Sequence, residues 1–163
     1  MQEMVIYGVS FDMVGKQLIV LLKTVAGNKF LPIWIGHAEA AAILMKLQGT
    51  DTPRPMTHDL VTQIMGELNA SVAKITVTEL RDNTFYALIT LKAEASEIDV
   101  DSRPSDAIAL AVRANAPIFA ADQVIEDSGI EFPDQPVETE DVVAQFKEFL
   151  DNVTPEDFAG ESS

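Results

Sequence analysis

Apolar and polar positions follow two rhythms along this chain, one of period two and one near three and a half, and each change of rhythm marks an element. "MVIYGVSFD" (4–12) and "QLIVLLKT" (17–24) are rich in β-branched residues and flank "MVGK", a short turn. A second turn, "VAGN", leads into "KFLPIWI" (29–35), where Pro32 predicts an edge position or an irregular strand. The three segments predict a meander. "HAEAAAILMKLQG" (37–49) is a good helix former that follows Gly36 and stops at Gly49. Its Ala38, Ala41, Ala42 and Met45 share a face small enough for close approach by another element. After the loop "TDTPRP", Thr57 predicts an N-cap for "HDLVTQIMGELN" (58–69), with Leu60, Ile64, Met65 and Leu68 as its buried stripe.

Period two returns in "VAKITVTEL" (72–80) and "TFYALITLKA" (84–93), joined as a hairpin at "RDN". "EIDVD" (97–101) is a short strand with Ile98 and Val100 on one face and Glu97, Asp99 and Asp101 on the other. Pro104 suits the first turn of the next helix, "SDAIALAVRANA" (105–116), which is apolar at Ile108, Leu110, Ala111 and Val112. "PIFA" (117–120) is short and extended, and "ADQVIEDSG" (121–129) is a brief helix. Strands come in runs and helices in clusters, which predicts an α+β fold with an antiparallel or mixed sheet rather than a doubly wound one. The expected organisation is one compact domain over residues 1–130 and an acidic extension over 131–163. That extension contains one amphipathic helix at about 139–152, apolar at Val142, Phe146, Phe149 and Leu150.

Composition narrows the chemistry. At 163 residues and 47% apolar, the chain can bury a core without staples. It has no cysteine, which excludes disulfides, thiolate zinc sites and a cysteine nucleophile. "MQEMVIYGVSFDM" has no basic region ahead of an apolar run, and no run is long enough to span a bilayer, so the expectation is a cytoplasmic protein with no membrane partner. The net charge of -15 is concentrated at one end: residues 122–163 hold 13 acidic residues against one basic residue, Lys147. Such a balance opposes non-specific attraction to nucleic acid, which depends on Lys and Arg neutralising phosphates.

The glycine loops of phosphate and dinucleotide sites are missing, as is a Gly-x-Ser-x-Gly nucleophile turn. His37-Ala-Glu39 matches the opening of a zinc deaminase signature, but that chemistry needs cysteine ligands further along the chain. What stands out is a repeated device: "RPMTHDL" (54–60) and "RPSDAIAL" (103–110) each have Arg-Pro, a hydroxyl residue and an aspartate at the mouth of a helix. In the first, His58 is a candidate general base or metal ligand, because imidazole titrates near neutrality, and Asp59 suits the helix dipole. In the second, Arg103 can grip a carboxylate or a phosphate, and Ser105 and Asp106 can cap the helix. The carboxylates at Glu97, Asp99 and Asp101 just ahead of it are of the kind that hold Mg²⁺ or Mn²⁺ together with water and substrate phosphate. By pattern alone they suit a solvated strand face better than a metal site. Trp34 is read as a core or interface aromatic rather than a platform for bases. Capping, an ion pair between segments and an anion site all remain open as explanations of the two Arg-Pro elements.

Four separated blocks, "LPIWIGHAEA" (31–40), "RPMTHDL" (54–60), "DNTFYALI" (82–89) and "DSRPSDAIALAVRANAPIF" (101–119), together resemble the bifunctional nuclease domain family over roughly residues 5–130. The resemblance implies an α+β fold, a homo-oligomer (most simply a dimer) and nuclease activity on DNA and RNA. On that basis the two Arg-Pro elements are expected to converge in one cleft. The expected catalytic residues are His58, Asp59 and Asp106. Arg54, Arg103, Ser105 and Thr57 would bind substrate, and Asp101, Asp106 and Asp99 would hold a divalent metal, Mg²⁺ or Mn²⁺. The competing expectation is a non-catalytic oligomeric scaffold, regulatory or anion-binding module. In it, Arg54 and Arg103 pair with Asp59, Asp106 or Glu39 as structural ion pairs.

Overall fold

The structure is a computed structural model that describes residues 1–132. The expected helix at 139–152, and with it the acidic extension, lies outside the described residues. Strands β1 (Gln2–Asp12), β2 (Gln17–Thr24) and β3 (Lys29–Ile35) form the expected antiparallel meander. Helices α1 (His37–Leu47) and α2 (Thr57–Glu67) follow. A second meander comprises β4 (Ala70–Arg81), β5 (Thr84–Ala93) and β6 (Ser96–Ser102). Asp82 and Asn83, at φ 51° and 58°, make the tight turn between β4 and β5, the left-handed pair that a two-residue hairpin demands. Helix α3 (Pro104–Ala114), β7 (Ile118–Ala120), α4 (Asp122–Ser128) and β8 (Ile130–Glu131) complete the described chain.

All eight strands join one sheet in the order β6-β5-β4-β7-β1-β2-β3-β8, in which only β4 and β7 run parallel. The three-residue β7 therefore stitches two meanders into one mixed α+β layer. Period-two burial follows from the pleat, and in β2 Leu18, Val20 and Leu22 are all within 1% of full burial. Helix α3 is the central helix, with Pro104, Ser105 and Ala107 through Ala111 buried. Its alanines allow α1, α2 and the sheet to close around it. None of the described helices is long and apolar enough to cross a membrane.

Two expectations fail here for identifiable reasons, and the edge strand qualifies a third. The stripe of α2 is not buried: Leu60 is 49%, Ile64 51% and Leu68 73% exposed, and only Met65 packs partly against the core. The amphipathic pattern is real, but among the described residues nothing buries this face. Thr57 is not the N-cap of α2. Met56 holds that place, and the Asp59 carboxylate accepts from the Met56 N–H at 3.0 Å instead. Strand β6 lies at the sheet edge, so Ile98 and Val100 remain 49% and 41% exposed although they point to the same side as buried Ile89.

Candidate functional site

The expected convergence is present. A groove of about 820 Å³ runs between the first turns of α2 and α3 and the small-residue face of α1, where Ala38, Ala41, Ala42 and Met45 line it. The two helix mouths begin differently. Arg103, at φ -68° and ψ 143°, is itself the extended N-cap ahead of Pro104, because the residue before a proline is pushed out of helical conformation. In α2 the proline comes earlier, and the extended N-cap is Met56, after Pro55. Counting from the caps, Asp59 and Asp106 both sit at the third helical position, where a carboxylate meets the positive end of the helix dipole.

The two carboxylates are used differently. Asp59 turns back on its own helix and also accepts from Arg113 Nε at 2.7 Å. Arg113 is 7% exposed and donates further to the Ala109 and Ala42 carbonyls at 2.9 and 3.1 Å, so one guanidinium ties α1, α2 and α3 together. The Arg113 hydrogen bond, helped by the Met56 N–H, holds the Asp59 carboxyl below its ordinary value. The sequence reading missed Arg113 because nothing in a helical "AVRAN" marks its arginine as inward-facing.

Asp106 turns outward to the groove. Its Oδ1 lies 2.8 Å from His58 Nε2, and its Oδ2 accepts from Arg103 Nε and Nη2 at 2.9 and 2.8 Å. Burial pushes the Asp106 carboxyl up, but the His58 and Arg103 hydrogen bonds outweigh it and hold it below 3.8. An ionised carboxylate can only accept, so His58 Nε2 carries the proton and, in the neutral ring, Nδ1 carries the lone pair. Arg103 Nη2 also donates to Glu39 Oε1 at 2.9 Å. Glu39 reaches this position by folding back over Gly36, where a Cβ would collide with its carboxylate. Arg103 remains 66% exposed despite these partners, and Nη1 has no hydrogen bond among the described residues.

The remaining candidates divide. Thr57 and Asp101 line the groove beside His58, Asp59, Asp106, Arg103 and Glu39, whereas Arg54 does not. Arg54 is exposed in the preceding loop and forms no ion pair among the described residues. Ser105 is buried on the far side of Arg103, in a second groove. Asp99 also lies outside the groove and accepts from the Thr90 hydroxyl at 2.7 Å.

Among the described residues no group of three or more His, Asp or Glu side chains is disposed to hold a metal ion. The donor chemistry agrees: both Asp106 oxygens are engaged by cationic or N–H donors, and Asp99 is held away by Thr90. The trio Asp99, Asp101 and Asp106 does not fit a divalent cation as it stands.

The chain's similarity to known proteins points the same way as its motifs. Residues 20–133 match the model of the bifunctional nuclease domain. An uncharacterized protein of Mycobacterium tuberculosis is 38% identical over 164 aligned positions, which cover 97% of this chain and 98% of that one. Bifunctional nuclease 1 of Oryza sativa subsp. indica is 26% identical over 136 positions, 82% of this chain but 41% of the rice protein.

Proposed function

The chain belongs to the bifunctional nuclease domain family, and from that premise we propose that it is a nuclease that hydrolyses phosphodiester bonds in DNA and RNA. The observation that carries the reading is the His58–Asp106 pair beside a solvent-open Arg103 in one groove. An enzyme that cuts DNA cannot use a 2′-hydroxyl as nucleophile, so the attacking group is water. In this reading His58 Nδ1 takes the proton from that water as its oxygen bonds to phosphorus. Asp106 orients the ring and stabilises the imidazolium that forms. The Arg103 Nη1 donors face the charge that builds on the phosphoryl oxygens. The proton held by His58 then goes to the departing oxygen or to solvent. Asp59 and Glu39 act as positioning residues, the first through Arg113 and the second through Arg103.

One observation favours a second reading. Arg103 is already bonded to two carboxylates, which is how a structural ion-pair network in a scaffold or anion-binding module would look. Cleavage of labelled single-stranded RNA and DNA by the wild type, His58→Ala and Asp106→Asn separates the two. Loss of a general base lowers turnover by roughly 10²- to 10⁴-fold. Variants that fold and cleave like wild type would leave the Arg103 network as scaffold only.

A further inference from the structure

A second groove, of about 730 Å³, lies on the other side of Arg103, between the β4–β5 turn and the end of β3. Trp34 stands at its edge. Ile33 and Ile35 point into the core at 1% and 8% exposure, so the strand's alternation turns Trp34 outward, and it is 52% exposed. Of the two roles the sequence suggested for the indole, core or interface, this exposure excludes the core. Phe85 and Leu80 also line it, as does Asn83 on the tight turn between β4 and β5. Arg103 lines both grooves and, among the described residues, is the only charged side chain lining this one. In a chain of net charge -15, a cleft whose single charge is a cation is set apart from its surroundings.

We propose that this groove is a nucleobase subsite, in which Trp34 stacks on an unpaired base of a single-stranded nucleic acid whose adjacent phosphate reaches Arg103 and the His58–Asp106 groove. The inference rests on the nuclease reading and names the form of its substrate. Three features select that occupant over a purely apolar one. The exposed indole offers a π-face, which stacks on any base without demanding sequence. Among the described residues the wall carries an amide able to bond a base edge but no carboxylate to repel a phosphate. The groove also meets the catalytic groove at a guanidinium with unused donors, so a base and its own phosphate fit across the junction. A paired base is already stacked on both faces and is not offered to such a wall.

Trp34 is the chain's only tryptophan, so its emission reports on this groove alone. The experiment is a fluorescence titration of the full chain in its His58→Ala form, which keeps the strand intact. The probes are a single-stranded oligonucleotide, an abasic strand of equal length and the matching duplex. In parallel, wild type, Trp34→Ala and Trp34→Phe are assayed for cleavage. We expect saturable quenching by the single strand and little by the abasic strand or duplex. Trp34→Ala should raise KM by roughly 10- to 100-fold with kcat nearly unchanged, and Trp34→Phe should recover most of it. His58-dependent cleavage with silent Trp34 emission and an unaltered KM in Trp34→Ala would overturn the subsite while leaving the nuclease reading intact. Base-dependent quenching without cleavage by any form would retain the subsite and remove the nuclease reading. Emission that follows protein concentration and ignores every strand would make the groove a protein contact and overturn the inference.

Discussion

Replacing Asp59 by alanine tests whether this carboxylate is chemistry or carpentry. Arg113 is 7% exposed, with three acceptors: the Asp59 carboxylate at 2.7 Å and two backbone carbonyls at 2.9 and 3.1 Å. Removing Asp59 leaves the guanidinium with neutral partners only. Stripping one partner from a buried pair costs about 3–5 kcal/mol. Asp59 itself is 34% exposed, so water reaches the vacated side and the lower end applies, about 3 kcal/mol. Loss of the Met56 N–H acceptor at the helix mouth adds roughly 0.5–1 kcal/mol. For a chain of this size, the resulting loss of about 3.5–4 kcal/mol corresponds to a fall in Tm of about 7–16 °C. Urea unfolding followed by circular dichroism measures it, and Arg113→Leu on the same background should recover part of the loss by removing the stranded charge. Below the unfolding midpoint we expect Asp59→Ala to cleave with a kcat close to wild type. A variant as stable as wild type but inactive would refute the argument and make Asp59 a catalytic residue.

Other outcomes follow from the same geometry. Because Asp106 has a depressed carboxyl pKa in the folded chain, its contribution is present above the ordinary value of 3.8 and lost as pH falls through the lower folded value. The stability gap between wild type and Asp106→Asn, measured by urea unfolding, should therefore be constant above about pH 5 and close below about pH 4. A gap that failed to close in strong acid would contradict the pairing. With its carboxylates engaged, the groove should bind Mn²⁺ no more tightly than about 1 mM by calorimetry. A micromolar site abolished by Asp106→Asn would mean that the groove rearranges around a cation. The uncharged, exposed α2 stripe of Leu60, Ile64 and Leu68 is where we expect a second copy of the chain to pack, so Ile64→Glu should turn a dimer into a monomer in light scattering. Wild type that is monomeric at tens of micromolar would refute that placement.

The strands and helices up to β7 and α4 were legible because their periodicities are strong and their punctuation is explicit: Gly49 at φ 68°, the Asp82-Asn83 turn and Pro104 at a helix start. The two-residue β8 was not, since Ile130 and Glu131 pair only at the foot of β3 and leave no pattern. The amphipathic stripe of α2 shows the limit of periodicity, which reports that a face is apolar but not what covers it.

In the site, the same limit appears as a question of partners. Two helix mouths with the same device, Arg-Pro and an aspartate at the third position, look interchangeable in one dimension. They differ because α3 is the buried helix and α2 the outer one. From the centre, α3 can send Arg113, in its last turn, to claim Asp59, and that leaves His58 with Asp106 as its partner. Arg54 belongs to the outer mouth and stays in solvent, whereas Arg103 belongs to the inner one and stands where two grooves meet. One buried arginine, which no motif marks, thus ties Asp59 to the helix frame and leaves Asp106 to face the histidine beside the exposed Arg103.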